Sequence, residues 1–247
     1  MRPRGVVLFC LMMVGIRIHA AQASDGEIYL NANFNDKALD QQIPHRGAEF
    51  GEPYFVDPGA GGYVRAAPMA SPSLEIADGS ASASCAARFS FLENAGISSG
   101  TAVVMARLWF AESPGEIQYR VFLSTSGSGS ILLAMLFGND GKVFVEDMDD
   151  DFVEVGQYEI GRAYPIAFSV DMTGHTYDVW FDSQLVLDDA AIGITNEDLV
   201  GVTFTIGRDE DLEGLFYVDD IRVTDDPDAV PVIDATWGGL RGLHRSR

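Results

Sequence analysis

The chain has 247 residues, 47% of them hydrophobic and 21% charged, enough apolar material to bury a core and too much for intrinsic disorder to be its main state. Its 37 acidic residues against 16 basic ones give a net charge of −21. That balance disfavours nucleic acid and anionic membrane, since both would be met by a surface of like charge.

The chain opens on Met1-Arg2-Pro3-Arg4, an apolar run from Gly5 to Ile16, and Ala21-Gln22-Ala23. A charged start, an apolar stretch too short to span a bilayer and a small-x-small exit predict a secretory signal over residues 1–23. No later run reaches the length of a membrane span, so the expectation is a soluble, exported domain. Loss of the leader leaves 13 basic residues against 37 acidic ones and removes Cys10. Cys85 then stands alone, and no intrachain disulfide can form in a compartment that favours them. Its neighbours Ala83, Ala86, Ala87 and Phe89 predict a small buried hydrophobe.

From there, short β-branched and aromatic runs recur between Gly, Asp, Asn and Ser, the pattern of an all-β chain. Strands are expected near Glu27–Phe34, Tyr63–Arg65, Ser73–Ala77, Ser84–Leu92, Ala102–Phe110, Gln118–Ser124, Ile131–Phe137, Lys142–Glu146, Pro165–Asp171, Thr176–Phe181, Gln184–Leu187, Val202–Ile206 and Phe216–Val223. Asn139-Asp140-Gly141 predicts a hairpin turn, with weaker turns at Met172-Thr173-Gly174 and Asp182-Ser183. Ala190–Leu199 has room for one helical turn. So many strands without βαβ spacing predict a two-sheet antiparallel sandwich.

Strand phase adds detail. Ile166, Phe168, Val170 and Met172 alternate with Ala167, Ser169 and Asp171, so one face is core. In the last strand Phe216 and Val218 share one parity and Ile221 and Val223 the other. A parity change needs an extra residue, which predicts a β-bulge at Asp219-Asp220. Trp109, within Val103–Phe110, reads as core.

The stretches LNANFNDKALDQQIP, YEIGRAYPIAFSVDMTGHTYDVWFDSQLV and FYVDDIRVT resemble the concanavalin A-like (laminin-G-like) jelly-roll sandwiches of secreted bacterial proteins, of the lectin and glucanase type. The resemblance spans about residues 27–225. It implies that the first and last strands pair, and that calcium sits beside them, with Asp36 and Asp219 or Asp220 as ligands. It does not by itself imply an activity.

After Asp225-Asp226-Pro227-Asp228 the composition changes. Residues 24–226 form the expected sandwich domain, and residues 227–247 a flexible tail ending in Trp237-Gly238-Gly239 and three arginines. The tail weakly resembles the endings of some exported bacterial proteins, and reads equally as a sorting signal or a disordered end.

Glycoside hydrolases and polysaccharide lyases share such folds, but the alternate-residue carboxylates of the hydrolases are missing. Glu146-Asp147-Met148-Asp149 and Glu210-Asp211-Leu212-Glu213 come nearest, and both sit in acidic stretches. Beyond the leader there are three histidines, His45, His175 and His244, and there is no Gly-x-Ser-x-Gly, phosphate loop or zinc spacing. The sequence leans away from catalysis, with a polysaccharide-degrading enzyme or a structural envelope protein as alternatives.

Sugar binding needs aromatic faces beside polar groups, because a pyranose has an apolar C–H face and a polar rim. Tyr177, Val179 and Phe181 take one parity, leaving Trp180 between Asp178 and Asp182 on the other; Gln118 and Arg120 share a parity on another strand and are expected on the same outer face. A packed, structural Trp180 is the favoured alternative. Asp147, Asp149 and Asp151 have the spacing of a calcium loop, but Phe152 and Tyr158 occupy the positions that need Gly and an acid, which excludes an EF-hand. Two lysines among so many acids also fit a salty habitat. The reading is a secreted, non-catalytic carbohydrate-binding or surface-interaction module.

Overall fold

The computed structural model describes residues 26–43, 54–55, 62–66, 68–69, 71–78, 85–91, 96–112, 118–127, 131–146, 152–193, 197–206 and 214–229. Fifteen strands lie within them: β1 Ile28–Ala32, β2 Tyr54–Phe55, β3 Gly62–Arg65, β4 Ser73–Asp78, β5 Ala86–Ser90, β6 Thr101–Phe110, β7 Tyr119–Thr125, β8 Ile131–Phe137, β9 Lys142–Glu146, β10 Phe152–Gln157, β11 Ala163–Asp171, β12 Thr176–Phe181, β13 Gln184–Ala191, β14 Leu199–Ile206 and β15 Gly214–Thr224. They form two antiparallel sheets. An eight-stranded sheet runs β13-β12-β11-β6-β15-β4-β3, with β1 also on β15; a seven-stranded sheet runs β10-β9-β8-β7-β14-β5-β2. No helix among the described residues is long and apolar enough to cross a membrane.

The alternation that marked the strands also builds the core. On β6, Ala102, Val104, Ala106, Leu108 and Phe110 point inward, and on β11 Ile166, Phe168 and Val170 do so. Facing them are Val121 and Leu123 of β7, Met135 and Phe137 of β8, and Val202, Phe204 and Ile206 of β14. Phe110 is an aromatic hub: ring centroids of Phe137 and Tyr158 lie 4.7 Å away and that of Tyr119 5.4 Å. Each such ring contributes about 1.5–3 kcal/mol by burial. Cys85 is fully buried in this core.

The turns follow their chemistry. Gly141, at φ 79°, closes the β8–β9 hairpin after Asn139-Asp140, and Asp182 and Ser183, at 50° and 64°, make the tight turn between β12 and β13. Asp171 Oδ1 accepts from the backbone N–H groups of Thr173 and Gly174, both at 2.8 Å, fixing the turn before β12.

β15 carries the predicted bulge. Asp219 is opposite Arg107 of β6, and the next partners are Arg222 and Met105, so two residues of β15 pass one of β6; Asp220 adopts φ 53° to allow it. Before the bulge β15 pairs with β4, and after it with β1, Ala32 lying opposite Ile221. The first and last strands are therefore neighbours.

Some expectations change. β10 and the two-residue β2 were not read as strands; β10 is an edge strand whose Phe152 and Val153 stay exposed, so no alternation marked it. β13 continues to Ala191, two residues into the stretch Ala190–Leu199 expected to hold a helical turn, and residues 194–196 of that stretch lie outside the described residues. Trp109 is not core: with Leu108 and Phe110 inward it points outward, edge-on to Tyr217 at 5.7 Å. Residues 1–25 and 231–247, His45, the Asp147–Asp151 run and Glu210–Glu213 lie outside the described residues.

Candidate functional site

The sandwich has two outward faces, and the sequence-predicted residues divide between them. On the eight-stranded sheet, inward Tyr177, Val179 and Phe181 turn Trp180 out. There it is half-buried against Val103, Met105 and Ala167, and Ala229, from the 3-10 turn Pro227–Ala229, packs on the same patch. The flanking carboxylates are engaged by the protein: Asp178 Oδ1 accepts from the Asp189 N–H at 2.7 Å, and Asp182 is held by Arg162.

Gln118 and Arg120 do not share that face. Arg120 is on β7, which belongs to the seven-stranded sheet, and Gln118 directly precedes it. Parity gives a side chain's face within its strand, but not the sheet the strand joins. The expected grouping of Gln118 and Arg120 with Trp180 is corrected on that ground.

The bulge gathers Asp219 and Asp220 but not Asp36. Asp219 is fully buried; it accepts from the Ser71 hydroxyl and from Arg107 Nη2 at 3.2 Å, and Arg107 Nη2 also lies 3.1 Å from Asp220. Burial pushes the Asp219 carboxyl up to about 6, the charge of Asp220 adding to the effect, with the Ser71 hydrogen bond and the Arg107 guanidinium pulling the other way. Asp36 sits exposed in the turn after β1. Calcium needs six to eight oxygens, whereas here the guanidinium stands between the two carboxylates. Among the described residues no three His, Cys, Asp or Glu side chains converge as metal ligands. These residues do not fit the ion that the resemblance implies.

The outer face of the seven-stranded sheet has a different character. Ala87 and Phe89 are core, so Arg88 points out of β5; by the same alternation Thr203 and Thr205 point out of β14, Arg120 and Phe122 out of β7, Ala134 and Leu136 out of β8, and Phe144 and Glu146 out of β9. Backbone register orders them. One row runs Arg88, Thr203, Phe122, Ala134, Glu146, and ends at Phe152 of β10. The next runs Ala86, Thr205, Arg120, Leu136, Phe144, Glu154. Small residues thus line β14 and part of β8, flanked by the rings of Phe122, Phe144 and Phe152 and by two guanidinium groups.

Arg120 pairs with Glu146 across β8, and Lys142 Nζ holds Glu154 at 2.8 Å. Arg88 has no carboxylate within salt-bridge distance among the described residues, whereas Arg65, Arg107, Arg120 and Arg162 each have one. Three polar atoms of this face are buried without a hydrogen-bond partner: Arg88 Nε, Arg120 Nε and Thr203 Oγ1. Each such group costs about 1–3 kcal/mol, and native proteins keep few of them. Of this cluster only Arg120 stood out in the sequence. Arg88 and Thr203 carried a faint signal, a polar residue alternating with large hydrophobics.

No family model and no curated protein matches the chain. Solved structures do. A sialidase superposes with a TM-score of 0.60 at 10% identity, over 79% of this chain and 18% of its own. A Trypanosoma rangeli sialidase, in complex with 2,3-difluoro-KDN, gives 0.50 at 13%, over 76% of this chain and 30% of its own. The alginate lyase AlgAT5 of polysaccharide lyase family 7 gives 0.51 at 15%, over 66% of this chain and 81% of its own. The chain therefore spans under a third of the length of these sialidases. At such identities the likeness shows the fold: a concanavalin A-like jelly-roll sandwich of two antiparallel sheets.

Proposed function

We propose that the domain is a non-catalytic glycan-binding module, exported from the cell, that binds with the outer face of its seven-stranded sheet. The observation that carries this reading is the half-buried ring of Phe122 in one outward row with Thr203 and with Arg88, an arginine that has no carboxylate within salt-bridge distance among the described residues. A sugar offers hydroxyls and ring oxygens for the guanidinium and hydroxyl groups and a C–H face for the ring. The fold neighbours support the class of ligand, since a sialidase and an alginate lyase both act on glycans. Binding is favoured over turnover because the described carboxylates of this face are each held by a cation, Glu146 by Arg120 and Glu154 by Lys142.

Affinity electrophoresis in gels containing a panel of neutral and acidic polysaccharides tests the proposal. Wild type is retarded by at least one polymer, and Phe122→Ala weakens that retardation at least tenfold while its melting temperature stays close to that of wild type. Release of reducing ends or unsaturated sugars from the bound polymer would replace binding by catalysis. Retardation by none of the panel would refute both.

A further inference from the structure

Arg88 singles out one kind of ligand group. In a chain of net charge −21 cations are scarce, and among the described residues Arg65, Arg107, Arg120, Arg162 and Lys142 are each held by the protein's own acids. Arg222 is the other described arginine with no carboxylate at salt-bridge distance; it lies on β15, in the eight-stranded sheet. Arg88 sits in register directly opposite Thr203, which places their β-carbons about 4.5–5.5 Å apart. The two side chains therefore leave the sheet as cross-strand neighbours on its outer face. Along the outward positions of β5, β7, β9 and β10, the cations Arg88, Arg120 and Lys142 stand against the carboxylates Glu146 and Glu154. Among these described outward residues three cations stand against two carboxylates, on an otherwise acidic molecule.

Resting on the glycan-binding reading above, we infer that the ligand is an acidic polysaccharide, whose carboxylate or sulfate group is met by Arg88 with Thr203 beside it. A guanidinium presents paired N–H donors that match the oxygens of either anion. The overall negative charge makes the assignment demanding: long-range forces repel a polyanion, so capture has to come from short-range contact at this position. Weak ion exchange of the kind basic proteins show is not available to this chain.

The test uses the full chain and three soluble probes: polygalacturonate, the same polymer with its carboxyl groups reduced to alcohols, and dextran sulfate. Wild type binds polygalacturonate or dextran sulfate at 0.15 M salt, and which of the two it prefers identifies the anion. If the carboxylate is the group, its reduction lowers affinity at least tenfold; this arm needs no variant and is immune to misfolding. Arg88→Gln lowers affinity for the preferred acidic polymer at least tenfold, whereas Arg88→Lys, keeping charge without the planar fork, recovers part of it. Equal binding of native and reduced polymer with none to dextran sulfate, or full binding by a folded Arg88→Gln, overturns the inference. If a neutral polymer then still binds and Phe122→Ala abolishes it, glycan binding stands and only the anion falls. If no polymer of any kind binds, both fall together.

Discussion

Arg120 of β7 reaches Glu146 of β9 across the strand between them, passing over Ala134, which lies opposite Glu146 in the register. The ion pair roofs β8: Ala134 and Leu136 are outward positions, yet they are 0% and 1% exposed. A small residue at position 134 is what leaves the bridge its path.

Filling that path has a defined outcome. Ala134→Leu adds three carbons beneath the bridge and forces Arg120 or Glu146 aside, at about 1–3 kcal/mol. Chemical denaturation reads this as a lower midpoint with an unchanged slope, and retention on the best-bound polysaccharide falls with it. An unchanged midpoint would show that the pair has room to spare.

Trp180 divides the two outward faces. Because it packs on Val103, Met105 and Ala167, Trp180→Ala lowers stability by about 2–3 kcal/mol, somewhat below the loss for a fully buried Trp, and leaves glycan retention intact. Loss of retention at an unchanged melting temperature would instead make Trp180, with Asp178 and Asp182, the sugar platform the sequence suggested.

The buried Asp219 sets a pH dependence of unusual sign. Its carboxyl is pushed up to about 6 in the fold, chiefly by burial, against about 3.9 in an unfolded chain. Between those values the folded state binds the extra proton, so this group's contribution to stability falls as pH rises from about 4 to about 6, by roughly 2–3 kcal/mol in all. Urea titrations at pH 4, 5, 6 and 7 show a shallower loss across this window in Asp219→Asn than in wild type. Parallel curves would place the ordinary carboxylate range at Asp219.

Arg107 stands beside the two carboxylates that a calcium ion would need. Thermal melts of wild type in millimolar calcium and in chelator coincide, while Arg107→Ala, which uncovers both carboxylates, melts higher with calcium than without. Separate wild-type melts would give Asp219 and Asp220 to the metal.

At the open end of the sandwich, Gly156 of β10 lies on the ring of Phe181. A Cβ built there meets ring carbons at 3.0 and 3.2 Å. Gly156→Val therefore lifts the edge strand from the core and destabilises by about 1–3 kcal/mol, read most directly as faster amide exchange across β9 and β10.

The architecture was legible in the chain wherever burial was one-sided. Ile166, Phe168 and Val170 marked a strand because their neighbours face out, and the parity slip between Val218 and Ile221 located the bulge to the residue. Where both faces of a strand are alike the pattern fails: Phe152-Val153-Glu154-Val155 has no clean period, and β10 went unread. The site was harder for a different reason. Arg88, Thr203 and Glu146 meet only through the strand order β9-β8-β7-β14-β5, in which paired residues such as Thr205 and Ala86 are as much as 119 positions apart. Local parity says nothing about that order, and it put Arg120 beside Trp180 when the two lie on opposite sides of the molecule.

The position of β15 dictates when this protein can fold. Gly214–Thr224 is the last strand among the described residues, yet it lies inside its sheet, with β6 on one flank and β4 and β1 in succession on the other. Until those eleven residues are available, the sheet is two separate fragments, one ending at β6 and one at β4, each with an open hydrogen-bonding edge. β1 has no partner at all in that state, although it is made first. A chain made from its N-terminus therefore holds these fragments apart until their keystone arrives, and the eight-stranded sheet closes in one late step.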